Sequence, residues 1–311
     1  MSDAQPRNAA NRNAPAFRDC FAAMRPTQWT KNTIVLAAFF FAFWDTAQDI
    51  QPIDGLTLAL PAMLLFCIVS SGIYILNDLR DIGADQAHPV KRQRPIAAGR
   101  VPQSFALGLA LVLLLAGIAG SYLLSSAFAA IVVVYVAVQV IYSFGLKNIA
   151  LLDVFVIAAG FVLRAIAGAR VLDVRISYWL LLCTFVLALF LALCKRRHEK
   201  LFVEDSSAEA RVSLGQYDRR LLDLLIAISA SSTIVCYAMY TLAEETVDKF
   251  NTEKLAFTVP FVIFGVFRYL DLAYRHRKGD RPEKILLTDV PILVNLALYG
   301  LSVIIICLPQ R

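Results

Sequence analysis

The sequence predicts an all-α integral membrane protein built as a bundle of nine transmembrane helices. Three observations carry that expectation. Hydrophobic residues make up 59% of the 311, and the mean hydropathy is +0.63, outside the range of soluble globular chains. Nine apolar runs approach the length of about 20 residues that a helix needs to cross a bilayer. Lysine and arginine gather in every second gap between those runs, as they do in loops that face the cytoplasm.

Taken in order, the runs cover 32–48, 56–76, 104–124, 126–145, 150–170, 177–195, 221–242, 255–272 and 289–308. Hydrocarbon offers no water to backbone groups, so each run should be a helix, and none shows the alternation of a barrel strand. The N-terminal segment carries Arg18, Arg25 and Lys31, the second gap Lys91, Arg92 and Arg94, and the fourth Lys147. The sixth gap adds Lys195, Arg196, Arg197 and Lys200, and the eighth the cluster RHRKGDRPEK over 275–284. The remaining gaps are acidic, uncharged or mixed, with Asp45, Asp49 and Asp54 in the first and Glu244, Glu245 and Asp248 in the seventh. The N-terminus and the longest gaps, after the second and sixth spans, are therefore placed in the cytoplasm and the C-terminus outside.

Residues 1–24 are rich in Asn, Ala, Pro and Arg and lack the apolar stretch of a signal peptide, so they read as a disordered cytoplasmic tail. Residues 25–311 then form a single transmembrane domain. The net charge of +6 falls largely in the gaps, where topology accounts for it, and no nucleic-acid partner is expected; the partner the composition names is the bilayer. The six cysteines have neither CxxC pairs nor histidines at zinc spacing. A homo-oligomer is left open.

The stretch NDLRDIGADQAHPVKRQRPIAAG, 77–99, concentrates the charge. If the second span continues as a helix, Asn77, Asp81 and Asp85 stack on one face at intervals of four residues, and oxygen donors so placed repel unless a cation lies between them. Hard oxygen donors suit Mg²⁺, which commonly takes one or two carboxylates together with a substrate diphosphate. His88 and Pro89 end the helix. Lys91, Arg92 and Arg94 follow, either as phosphate donors or as loop residues obeying the topology rule.

NDLRDIGAD resembles the NDxxDxxxD signature of the UbiA superfamily of intramembrane prenyltransferases. HPVKRQRPIAAG, the upstream RPTQWTKN with Lys31, and the later YSFGLKN and RAIAG are similar to its decaprenyl-phosphate phosphoribosyltransferase branch, and the likeness covers nearly all of the chain after residue 24. It implies a nine-helix bundle with a cytoplasm-facing cavity, Mg²⁺ on Asn77, Asp81 and Asp85, and Asp78 with the basic run against the donor. The superfamily's orthodox members carry a second aspartate motif where this chain has LCKRRHEKL, with Lys195, Arg196 and Glu199. Two carboxylates exchanged for Lys and Arg favour an anion bound directly rather than through metal. One carboxylate cluster and one basic cluster fit phosphoribosyl diphosphate and a polyprenyl phosphate, with transfer of phosphoribose as the reaction. Asp81, Asp85, Lys195, Arg196 and Glu199 are the candidate catalytic residues.

Supporting candidates are Tyr142 and Lys147 after the fourth span, Lys147 fitting either a phosphate contact or a snorkelling lysine. Arg164 lies in the middle of the fifth span, where a charge usually faces a polar cavity, and Asp153 is its candidate ion partner. The small residues of that span, from Ala158 to Gly168, are read as helix packing. The rivals are an aromatic prenyltransferase, against which the missing second aspartate motif argues, and a transporter. The second would need inverted repeats and more ionisable groups at the midplane than Arg164 and Asp153.

Overall fold

The computed structural model describes residues 15–43, 51–206, 212–275, 285 and 287–308. Among them there is no strand, and eight helices are long and apolar enough to cross a membrane. Many large apolar side chains on those helices face outward, such as Leu111, Val112 and Leu115 on one and Val294, Leu301 and Ile305 on another. In water such a surface would aggregate; in a bilayer it is solvated, and the chain is an integral membrane protein.

The chain opens with α1 (Phe17–Ala23), a 3-10 segment (Pro26–Leu36) and α2 (Ala37–Phe43). The long helices α3 (Pro52–Arg80), α5 (Gln103–Leu124), α6 (Ser126–Phe144) and α7 (Leu152–Leu172) follow, with the short α4 (Ile82–Ala87) after α3. Then come α8 (Tyr178–Ser206), α9 (Val212–Gln216), α10 (Arg219–Leu242), α11 (Glu244–Phe250), α12 (Val259–Tyr274) and α13 (Val290–Cys307). Local chemistry sets several starts. The side chains of Ser125, Asp218 and Asp289 accept from backbone N–H groups of the first turns of α6, α10 and α13, and prolines open α3, α12 and α13.

The two larger apolar cores hold most of the bundle. One joins α3, α5, α6 and α7 around Phe66, Phe128, Val132 and Tyr135; the other joins α8, α10 and α12 around Phe190, Leu222, Ile226 and Tyr269. α7 and α8 pack on each other between them.

The expected first span, 32–48, is not one helix. Its described part runs as 3-10 turns before becoming α-helical at Ala37, and 44–50, with Asp45 and Asp49, lie outside the described residues. The hydroxyls of Thr30 and Thr33 donate to the carbonyls three residues back, at 3.3 and 2.8 Å, and favour the tighter winding. The tail before residue 15 and the cluster after Arg275 also lie outside the described residues.

Gly168 of α7 is where the 3-10 segment touches the bundle. A Cβ built there would sit 2.0 Å from Val35 O, a backbone atom with nowhere to go. Gly168→Ala is therefore expected to destabilise by about 1–3 kcal/mol, read as a lowered thermal midpoint in detergent, whereas alanine at Gly108, with open space around it, should be tolerated far better.

Candidate active site

Asn77 and Asp78 lie on the last turn of α3, and Asp81 sits at the joint with α4, where φ −96° and ψ 13° bend the chain. The backbone ladder nevertheless carries through, with Asp81 N donating to Asn77 O at 3.0 Å and Asp85 N to Asp81 O at 2.8 Å. Lys147 Nζ donates to Asn77 Oδ1 at 3.4 Å and is ion-paired with Asp81. Asp85 accepts instead from Arg94 Nη1 at 2.6 Å. Among the described residues no three His, Cys, Asp or Glu side chains gather as a metal cage. Asn77 and Asp81 thus converge on one cation, while Asp85 turns onto Arg94 past the joint.

Asp78 is 2% exposed and lies under two guanidinium groups. Arg25 pairs with it, and Arg94 Nη1 reaches its Oδ1 at 3.1 Å. The basic run accordingly splits, with Arg94 turned inward onto Asp78 and Asp85, Arg92 exposed and Lys91 half-buried. Three carboxylates, Asp78, Asp81 and Asp85, are matched by three cations, Arg25, Arg94 and Lys147. Burial of Asp78 and Asp85 is tolerable because each has a partner. Arg25 was not legible as a site residue, since it stands 53 residues before Asp78 with only RPTQWTKN to mark it.

His88 ends α4, and its Nδ1 accepts from Val90 N at 3.2 Å and Lys91 N at 3.3 Å. Burial, and after it the Lys91 charge, holds the imidazole below its ordinary pKa, against the pull of Asp85. That keeps the accepting, neutral form. The ring also stacks on Phe202 of α8, with centroids 5.7 Å apart and planes at 12°, which brings the second constellation beside the first.

α8 does not end at residue 195 but continues to Ser206, so Lys195, Arg196 and Glu199 lie on a helix. Lys195 and Glu199 are half-buried, as is Tyr142 at the end of α6. Arg196 is buried. It pairs with Glu199 one turn on, and its Nε lies 2.7 Å from Asp153 Oδ2, the two side chains being 4% and 0% exposed. Arg196 is thus held in an internal ion-pair network with Asp153 and Glu199. Its neighbour Arg197, not singled out from the sequence, meets Asp223 of α10 at 2.5 Å and lies 3.7 Å over the ring of Tyr274 of α12.

The expected Arg164–Asp153 pair does not form. Eleven residues of helix separate them by about 16 Å, too far for an ion pair. Arg164 instead donates to Asn32 Oδ1 at 2.8 Å, Gly160 O at 2.8 Å and the Tyr135 hydroxyl at 2.7 Å. It thereby ties α6 and α7 to the 3-10 segment that carries a half-buried Lys31. Asp153 accepts from the Tyr217 hydroxyl at 2.7 Å.

A helical membrane bundle with an aspartate-rich helix end facing a second charged helix defines a class. The chain belongs to the UbiA prenyltransferase family, whose model matches residues 34–287, and it is an enzyme of that family. It is similar to the decaprenyl-phosphate phosphoribosyltransferase of Mycolicibacterium smegmatis, 38% identical over 274 residues, covering 86% of this chain and 85% of that one. The protein of the same name from Mycobacterium tuberculosis is 34% identical over 91% of both chains, and that from Corynebacterium glutamicum 35% identical over 86% of this chain and 80% of that one. The fold is shared with a UbiA homolog from Archaeoglobus fulgidus solved with GPP and Mg²⁺, at a TM-score of 0.69 and 19% identity, covering 93% of this chain and 99% of that one.

Proposed function

We propose that the enzyme transfers the 5-phosphoribosyl group from phosphoribosyl diphosphate to a polyprenyl phosphate, with Mg²⁺, in the cytoplasmic membrane. The bond from ribose C1 to the diphosphate breaks, a bond from C1 to a lipid phosphate oxygen forms, and diphosphate leaves. The observation that carries the reading is the balanced cluster of Asp78, Asp81 and Asp85 with Arg25, Arg94 and Lys147, packed beside the motif KRRHEK of α8, whose one carboxylate is Glu199. The names of the actinobacterial relatives support it.

The donor set fits a divalent cation, because Asn77 Oδ1 and Asp81 Oδ1 already converge on one positive atom, Lys147 Nζ. Asn77 and Asp81 would hold Mg²⁺, joined by Asp85, and the ion supplies neutralisation of charge developing on the leaving diphosphate. Lys147 and Arg94, which cover these acids in the free protein, then serve the donor's phosphate oxygens together with Lys91 and Arg92. Lys195 holds the other phosphate. Arg196 fixes Glu199, which orients a ribose hydroxyl. The acceptor is already an anion, so no strong general base is needed.

The 3-10 segment and α2 together rise about 32 Å, close to a hydrocarbon thickness of about 30 Å, and form the ninth span in this reading. Residues 25–311 are then one catalytic domain whose cavity opens to the cytoplasm, with 1–24 as its tail. The test uses purified full-length protein, Mg²⁺, radiolabelled phosphoribosyl diphosphate and decaprenyl phosphate. Label should enter the organic phase. Label that stays in water, while geranylgeranyl diphosphate is consumed with an aromatic acceptor, would overturn the assignment.

A further inference from the structure

The turn that presents Lys147 is held from outside. Lys147 is 5% exposed and belongs to the 3-10 turn Leu146–Asn148, in the link between α6 and α7. Gln216, at the end of α9, brackets this link with both ends of its amide. Its Oε1 accepts from Ala150 N at 3.0 Å and its Nε2 donates to Asn148 O at 3.3 Å. The next residue, Tyr217, accepts from Leu151 N at 2.8 Å through its hydroxyl, which in turn donates to Asp153.

Between these anchors Leu151 has φ 67° and ψ −49°, a conformation that a side-chain-bearing residue rarely adopts and that persists only where its surroundings impose it. The clamp is itself anchored on α8, since Lys200 Nζ donates to Leu214 O at 3.3 Å. A continuous path of contacts thus runs from the helix of Arg196 and Glu199, through Leu214, Gln216 and the Asn148 and Ala150 backbone, to Lys147 and so to Asn77 and Asp81.

We propose that Gln216 and Tyr217 are positioning residues that set Lys147 against Asn77 and Asp81, a role resting on the reading of Lys147 as a phosphate contact. Neither touches the reacting atoms. Their side chains fix the backbone on either side of Leu151, and the backbone fixes the ammonium group. Loss of the clamp lets Lys147 retreat, and the donor diphosphate is then held less well.

The test is a double-mutant cycle on the full-length enzyme. Gln216→Ala is expected to raise the KM for phosphoribosyl diphosphate about tenfold, the worth of two lost hydrogen bonds, with a smaller fall in kcat. Gln216→Glu keeps the acceptor for Ala150 N and should fall between. On a Lys147→Ala background, Gln216→Ala should add less than about twofold, because the group it positions is gone. A full tenfold effect persisting on that background would overturn the proposal. Tyr217→Phe, which removes one hydroxyl, serves as the second variant should Gln216→Ala fail to fold, with the same cycle as its readout. Should the wild type transfer no phosphoribose, the proposed function fails, and the cycle is read instead on calorimetric binding of inorganic diphosphate with Mg²⁺. The clamp then stands or falls on additivity there.

Discussion

Asp81→Ala should lower the transfer rate by about 10²–10³-fold or more while the protein still folds. Asp81 shares its cation with an uncharged oxygen donor, Asn77, and its side chain is 28% exposed where Asp78 and Asp85 are almost covered. It is therefore the acid best placed to exchange an internal cation for an incoming one. Removing a single preorganised electrostatic group from a reacting centre commonly costs that factor. A side effect runs through Lys147, which is nearly buried and would lose its counter-ion, so some loss of thermal stability should accompany the lost activity. Asp81→Asn separates the two, because it keeps the shape and a hydrogen-bond acceptor for Lys147 while removing the charge. Initial rates at saturating substrates, with melting curves for both variants, check the expectation. A folded Asp81→Ala enzyme working at the wild-type rate would end the case for Asp81 as a cation ligand.

The charged end of α3 was legible in the sequence, and for a definite reason. The spacing of Asn77, Asp81 and Asp85 survives because the backbone hydrogen bonds run on through the joint at Asp81, and the family signature NDLRDIGAD matches those positions. Helix ends were less legible. An apolar run marks where a chain leaves hydrocarbon, not where its helix stops. Lys, Arg and Glu are good helix formers, so α8 continues through KRRHEKL to Ser206 and places Arg196 inside a helix. Similarly, the first apolar run did not disclose 3-10 winding, which follows from threonine side chains and from contact with Gly168 on a distant helix.

The pairings were the least legible part. Arg25 with Asp78 lies across 53 residues and Tyr217 with Asp153 across 64, and no periodicity in a single sequence links such positions. The mistaken pairing of Arg164 with Asp153 shows the same gap from the other side. Two opposite charges on one span looked like partners, but the rise of the helix holds them apart, and each found its counterpart on another element. Membership of the UbiA prenyltransferase family was readable because it rests on contiguous motifs, whereas the internal ion pairs were not.

The Asp153–Arg196 pair gives the second large expectation, on stability. Asp153 on α7 is fully buried and Arg196 on α8 nearly so, and they join the two helices that lie between the apolar cores. Arg196 Nε and Asp153 Oδ2 are 2.7 Å apart, yet neither atom is aligned for a hydrogen bond, so their attraction is ionic and poorly directed. Taking Arg196 away strands Asp153 as an uncompensated buried charge, whereas taking Asp153 away leaves Arg196 its second partner, Glu199. Arg196→Ala alone should destabilise by about 3–5 kcal/mol, and Asp153→Ala by less. Replacing both by apolar residues of similar size, Asp153→Leu with Arg196→Met, removes the desolvation cost together with the attraction and should recover most of the loss. Thermal melting in one detergent across the four proteins reads this directly. The same four also decide the function of Arg196. If it only fixes Glu199 and the helix contact, the double variant regains stability and keeps a substantial part of its activity with an unchanged KM for both substrates. If its guanidinium holds a substrate phosphate after all, stability returns while the KM for one substrate rises tenfold or more, and the internal role assigned to Arg196 is wrong.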